Sequence, residues 1–404
     1  MKILLATGIY PPDIGGPATY VKTLKEELPK RGIAVKVLAY GETEPEDEEA
    51  GVYRISRKQN VILRYFEYFR QVFKIAGEVD LVYAQDPVSV GLPVSLACFL
   101  KRKNYILKIV GDYAWEQGRQ RASVKDDLDE FQKRQYGWKV ELWRFIEGVV
   151  AKNARLVITP SVYLKNIARK WGIRDDKIRV IYNAVKEVKT ADSTRSTGSG
   201  RASSPLAASR DELRRKLKLD GYAILSAGRL VPWKGFELLI DLMPELLKIA
   251  PDFKLVVIGE GPDKEKLAAK IKNLNLEKNI ILTGALPQAE LWEYMAAADI
   301  FVLNTGYEGL PHITIEAMQS GLPVITTKSG GNPEVIKNDE TGILVDYDNR
   351  EAIKNAILKL YKDREYARGL SERAKREIGD RFGRERMVAG VLEILKLLGI
   401  GKNE

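Results

Sequence analysis

The chain holds one cysteine, Cys98, and one histidine, His312, among 404 residues. A single cysteine excludes an intrachain disulfide framework and suits a reducing compartment, with Cys98 packed as a small buried hydrophobe. A single histidine leaves nothing for an HExxH site, a His/Cys metal cluster or a Ser-His-Asp triad with a histidine to spare. General-base chemistry must then come from a carboxylate or from the substrate. Long apolar runs are missing too. The best stretch, Val88 to Leu100, is broken by Gly91 and Pro93, short of the roughly 18 residues that span a bilayer. The opening MKILLATGIYPPD turns polar too soon for a secretory segment and reads as a first buried strand.

What remains is ordinary globular material, 45% apolar and 30% charged. The chain is longer than one core usually serves, which predicts two domains. Lysine and arginine number 65 against 55 acidic residues, a formal net charge of +10. That excess suits an anionic partner without choosing among a nucleotide diphosphate, anionic lipid and nucleic acid.

Short apolar strands alternate with amphipathic stretches along both halves. In the first, strands are expected at Ile3–Ala6, Val35–Ala39, Val52–Ile55, Leu81–Tyr83, Ile106–Val110, Leu156–Thr159 and Ile178–Ile181, with a helix over Pro17–Lys30 stopped by Gly32. The alternation restarts at Ala223–Ala227 and continues through Leu255–Ile258, Ile280–Thr283, Ile300–Leu303, Val324–Thr326 and Ile343–Val345. This is the pattern of two α/β units with largely parallel sheets. Residues 187–209 between them are rich in serine and threonine and nearly free of large apolar side chains, a linker composition. The division expected is an N-terminal Rossmann-like domain over 1–185, a linker over 186–212, a second Rossmann-like domain over 213–380 and a C-terminal helical segment over 381–404. Ligands of such sheets bind beyond the carboxyl ends of the strands, so two sheets facing one another would place a site in the cleft between domains.

Four segments could carry chemistry. After the first strand, TGIYPPDIGGPATY sets Gly15-Gly16 before Pro17, which suits either close approach of backbone N–H groups to a ligand or a tight turn. SAGRLVPWKG (226–235) runs a strand into Gly228 and delivers Arg229 and Lys234, a guanidinium fork and a compact ammonium suited to a diphosphate. EGLPHITIEAM (308–318) carries Glu308 and Glu316. On one helix they would lie about 12 Å apart along the axis, too wide for a glycosidase carboxylate pair. Gly309 and Pro311 instead put Glu308 in a loop and start the helix near His312, with the amides of His312 and Ile313 near an anion; His312 itself reads as a helix-start residue. Finally IVGDYAWEQ (109–117) ends a strand with Asp112, which either reaches a substrate or caps a helix.

Taken in order, Gly15-Gly16, Gly228-Arg229 with Lys234-Gly235, and Glu308-x7-Glu316 resemble the retaining glycosyltransferase family four, of GT-B fold. The likeness takes in Gly259-Glu260-Gly261, Gly284 to Pro287, Gly321 to Val324 and Gly330 to Glu334, so it spans essentially the whole chain. It implies that Arg229 and Lys234 bind the diphosphate of a nucleotide-sugar donor. It also implies that Glu308 meets the sugar hydroxyls and Glu316 the ribose, with Gly16 approaching the diphosphate and Leu286 offering its backbone to the base. Gly15, Gly228 and Gly259 belong to the same donor loops. The resemblance implies no metal and no cofactor beyond the co-substrate, retention of anomeric configuration, and a last helix that crosses back to the first domain. One departure stands out. Many relatives carry a histidine where this chain has Gly111-Asp112, so Asp112 becomes the candidate for that place.

Two stretches, Val61–Ile75 and Gln132–Phe145, mix aromatic side chains with Arg64, Arg70, Lys74, Lys133, Arg134, Lys139 and Arg144. They read either as core with a wet cationic face or as contact with anionic membrane, which would serve a lipid-linked acceptor. The expected location is cytoplasmic, with a peripheral place on the inner face of the membrane in the second case. The rival enzymes on this fold are a nucleotide-sugar epimerase and a pyridoxal-dependent phosphorylase. A nucleic-acid-binding module is disfavoured because no recognisable motif accompanies the charge.

Overall fold

The computed structural model describes residues 1–13, 15–42, 51–185 and 209–399. The chain divides into two compact units, Met1–Ala184 with Arg384–Glu404, and Val185–Gly383.

The first unit is built on a seven-stranded sheet in the order β3-β2-β1-β4-β5-β6-β7, every neighbouring pair parallel. The strands are β1 (Lys2–Thr7), β2 (Ala34–Tyr40), β3 (Val52–Ile55), β4 (Leu81–Gln85), β5 (Tyr105–Lys108), β6 (Leu156–Thr159) and β7 (Ile178–Val180). Helices α1 (Gly16–Glu27), α2 (Val61–Ala76), α3 (Gly91–Leu100), α4 (Tyr113–Arg121), α5 (Leu128–Phe131), α6 (Trp138–Asn153) and α7 (Val162–Lys170) connect them. Because side chains alternate across a strand, the central strands feed two cores. Leu4, Val82 and Leu107 face one; Ile3, Tyr83 and Ile106 face the other. The strand order reverses between β1 and β4, the switch point at which open α/β sheets leave a crevice.

The second unit repeats the plan with six parallel strands in the order β10-β9-β8-β11-β12-β13. They are β8 (Tyr222–Ala227), β9 (Phe253–Ile258), β10 (Ile280–Gly284), β11 (Ile300–Leu303), β12 (Val324–Thr327) and β13 (Ile343–Val345). Its helices are α8 (Arg210–Lys216), α9 (Phe236–Ile249), α10 (Lys264–Asn273), α11 (Gln288–Ala297), α12 (His312–Gln319), α13 (Asn332–Val335), α14 (Arg350–Lys362) and α15 (Arg364–Ile378). A final helix, α16 (Arg384–Leu397), lies in the first unit: Met387, Val391 and Ile394 share a core with Ile3 and Leu24, and Arg384 pairs with Glu26 at 2.5 Å.

Several boundaries differ from the sequence expectation. Helix α1 ends at Glu27, and a 3₁₀ turn over Pro29–Arg31 follows because proline brings no N–H to continue the ladder. Strands β4 and β5 end on polar residues, Gln85 and Lys108, rather than at the limits of the apolar runs. Of the expected linker, 186–208 lies outside the described residues. Its last four residues are not linker: Ser209 caps α8 and forms a reciprocal capping box with Glu212.

Candidate active site

At the carboxyl ends of β8, β9 and β10 the loops are stitched together by backbone bonds. Gly228 N–H donates to Ile258 O, Gly259 N–H to Gly284 O and Leu230 N–H to Glu260 O, each at 2.9 Å. The contact needs glycine. A Cβ on Gly259, whose φ is 151°, would lie 1.9 Å from the Gly228 carbonyl oxygen. Beyond Gly228 the chain exposes Arg229, which has no side-chain hydrogen bond or ion pair with any described residue. A 3₁₀ turn, Pro232–Lys234, then brings Lys234 back alongside Gly228.

Lys234 meets Glu308 in a close ion pair, and both side chains are largely buried. Glu308 is held from behind by the Gly330-Gly331 turn. Gly331 N–H donates to the Glu308 carbonyl at 2.8 Å, and a Cβ on Gly330 would come 2.2 Å from that same oxygen. Glu316, on the second turn of α12, accepts from the Gln288 amide at 2.8 Å, at the start of α11 and two residues after the half-buried Leu286. One sequence expectation is corrected here. The His312 N–H is already bonded to Leu310 O at 2.9 Å, which leaves Ile313 as the helix-start amide of that pair still able to face an anion. The other residues expected to meet a donor, Gly228, Gly259, Lys234, Glu308 and Glu316, lie in loops and a helix start beyond the carboxyl ends of this sheet's strands. Among the described residues no group of His, Cys, Asp and Glu is arranged to hold a metal ion.

In the first unit, Gly15 and Gly16 lead into α1 with open space around Gly16. Asp112 is committed to its own helix. It is the N-cap of α4, fully buried, with Oδ1 accepting from Trp115 N–H and Oδ2 from the Gln132 amide, both at 2.7 Å. Burial pushes its carboxyl above the usual range despite those bonds. Of the two readings of Asp112, the geometry favours the cap, and no described contact gives it a proton to take. Its neighbours do face a cavity. A pocket of about 400 Å³ opens at the β1/β4 switch point, between Tyr40, Gln85, Asp86, Arg64, Gly111 and Tyr113.

Sequence reasoning missed three buried polar groups in this unit. Lys108 is fully buried with its Nζ 3.4 Å from the centre of the Tyr20 ring, and desolvation holds its ammonium well below the usual lysine range. Glu147 caps α4 from α6, accepting from the N–H groups of Tyr113 at 2.6 Å and Ala114 at 3.3 Å; burial, then the charge of Asp112, raises its carboxyl. Gln85 lies beside Lys108 in register. For Gln85 and Lys108 the available signal was a polar residue closing an otherwise apolar strand; Glu147, on α6, offered no such signal. Cys98 is buried, its thiol pushed up to about 12, as an inert core cysteine should be.

Residues 14–188 match the family model described as Glycosyltransferase Family 4, and residues 209–377 match that of Glycosyl transferases group 1. An uncharacterized glycosyltransferase of Methanocaldococcus jannaschii is 26% identical over 98% of each chain. The GDP-mannose-dependent alpha-(1-6)-phosphatidylinositol monomannoside mannosyltransferase of Mycolicibacterium smegmatis is 34% identical over 36% of this chain and 40% of its own. Among solved structures, Anabaena Alr3699/HepE in complex with UDP and glucose superimposes with a TM-score of 0.78 at 20% identity, covering 98% of this chain and 100% of the other.

Proposed function

The chain is a family-four-like glycosyltransferase of the GT-B fold, and we propose that it moves a hexosyl unit from a nucleotide-diphosphate sugar to an acceptor hydroxyl, with retention and without a metal. The observation that carries this reading is the loop after β8. It exposes Arg229, unpaired among the described residues, and returns Lys234 against Glu308, on backbone that only glycines at 228, 259 and 330 allow. The bond from the anomeric carbon to the β-phosphate oxygen breaks with its electron pair on that oxygen. Arg229 and Lys234 offset the charge that develops there, and the glycine-locked loops keep the reorganisation small. The acceptor oxygen bonds the same face of the anomeric carbon, and its proton goes to the departing phosphate oxygen. Glu308 grips the donor sugar and orients Lys234, while Glu316 takes the ribose and Leu286 the base. That the Anabaena structure holds UDP and glucose supports this donor class.

The acceptor is lipid-linked in this reading, as the name of the mycobacterial relative suggests. Three neighbouring helices of the first unit each expose an apolar stripe at helical spacing. These are Ile62 and Phe66 on α2, Leu92, Leu96 and Phe99 on α3, and Trp138, Leu142, Phe145 and Val149 on α6. Ile62 is 81% exposed and Phe99 79%. Cations border them, with Lys101 4.1 Å from the Phe73 ring centre and Lys139 5.6 Å from that of Trp138. A basic, apolar face suits the surface of an anionic membrane, on its cytoplasmic side. No helix among the described residues is long and apolar enough to cross one.

The test is nucleotide release from a panel of nucleotide sugars. Arg229→Ala and Lys234→Ala should each slow turnover by about a hundredfold or more per folded molecule, with thermal unfolding unchanged for the exposed Arg229 and lowered for Lys234, whose loss leaves Glu308 unpaired; wild-type rates in either variant remove the diphosphate assignment.

A further inference from the structure

The pocket at the β1/β4 switch point contains hydrogen-bonding capacity that the protein itself does not use. Gln85 is 2% exposed, and its side-chain carbonyl oxygen has no partner. The Nε of Arg64 is buried and likewise unpartnered. Leaving such groups dry and unpaired is unfavourable, so the site is better satisfied with a polar ligand than without one.

The charges on its wall are not equivalent. Arg57 is committed: it pairs with Asp13 at 2.5 Å and donates to the carbonyls of Gly8 and Tyr40. Arg64, one turn into α2, makes no ion pair with any described residue and rests 5.4 Å from the centre of the Tyr40 ring. Of the two carboxylates, Asp86 is turned into its own loop. It accepts from Val88 N–H at 2.5 Å, from Ser89 N–H at 3.2 Å and from the Ser89 hydroxyl. Glu116 stands on α4 at the opposite wall. Asp86 also has a φ of 124°, which a non-glycine residue rarely adopts, and beneath it only glycine fits, since a Cβ on Gly91 would lie 2.7 Å from the Asp86 carbonyl oxygen. Strain of this kind, kept beside a cavity that the fold places at a ligand crevice, points to a used site.

We propose that this pocket takes the acceptor, and that the acceptor is a hydroxylated molecule bearing an oxyanion, a phosphate or a carboxylate, which the Arg64 fork grips while Gln85 meets its hydroxyls. The faces of Tyr40 and Tyr113 bound the space, whose volume of about 400 Å³ suits a molecule of hexose size. This inference rests on the transferase reading above.

Binding of D-glucose, D-glucose 6-phosphate and D-glucuronate to the full chain, by titration calorimetry, tests it. Wild type should prefer at least one of the two anions over glucose by about tenfold or more, the discrimination expected of a charge-assisted fork. Arg64→Gln should bring all three within about twofold. Arg64→Lys, which keeps the charge but loses the fork, should fall between, and Lys22→Gln, a charge removed elsewhere in the same unit, should keep the wild-type preference. Phosphatidylglycerol vesicles that compete with glucose 6-phosphate assign the oxyanion to a lipid headgroup, and vesicles that do not compete assign it to a soluble acceptor. Equal binding of the anions and glucose, or a preference untouched by Arg64→Gln, overturns the proposal. Nucleotide release in the same preparations is read separately. Its absence beside an intact anion preference removes the transferase reading and leaves the oxyanion site standing.

Discussion

Replacing Asp112 separates a cap from a catalyst. Asp112→Ala removes the side-chain acceptor for Trp115 N–H, a loss of roughly 1 kcal/mol for a helix N-cap. It also takes the acceptor from the half-buried Gln132 amide, roughly 1–2 kcal/mol more. A partial offset comes from Glu147, which no longer shares its buried surroundings with a second carboxylate. The net expectation is a loss of about 2–3 kcal/mol, seen as a fall in Tm of about 4–12 °C for a unit of this size. Asp112→Asn keeps an oxygen for Trp115, and Gln132 can turn its own oxygen toward the new amide, so it should lose no more than about 1 kcal/mol. Denaturation followed by tryptophan fluorescence reads stability, since Trp115 sits on this helix and is buried. Nucleotide release per folded molecule reads chemistry, and for Asp112→Asn it should stay within a few-fold of wild type. A stable Asp112→Asn protein whose turnover falls a thousandfold would refute the capping assignment and return Asp112 to the reaction.

Two further outcomes follow from the first unit. Sedimentation with anionic liposomes at low salt should be strong for wild type, several-fold weaker for Ile62→Ser with Phe66→Ser, and reduced by high salt; failure of wild type to sediment removes the membrane reading. Lys108 binds a proton more readily unfolded than folded, because burial lowers its folded pKa. Stability should therefore rise with pH across the window from that lowered pKa up to about 10.5, where the unfolded lysine also becomes neutral. Lys108→Met should raise Tm at neutral pH and flatten that slope, as urea melts across pH 7–10 would reveal; an unchanged slope would mean Lys108 reaches solvent.

Much of the architecture was legible because short continuous apolar runs read as strands buried on both faces, and such runs separated by helix-length segments pair in parallel. Both sheets came from that rule. The glycines at 228, 259 and 330 announced tight loops, but not which backbone each one touches. The strand ends went astray in both directions: the apolar run stopped at Tyr83, short of Gln85, and ran on to Val110, past Lys108, although these two polar residues end their strands in register.

Residue type and spacing raised the readings proposed above, Arg229 and Lys234 as a pair for a diphosphate and Glu308 and Glu316 as two separate grips on one ligand. Chemistry and spacing are local properties, and a strand-loop-helix segment carries them in one line of text. Tertiary structure decided the rest: that Lys234 pairs with Glu308 across 74 positions, that Asp112 is buried and bonded to Gln132, and that Arg64 pairs with no carboxylate among the described residues, near a Gln85 whose side-chain oxygen has no partner. Whether a charge is spent on a neighbour or left for a ligand depends on what the fold brings within 3 Å of it, and residues far apart in sequence supply that neighbour.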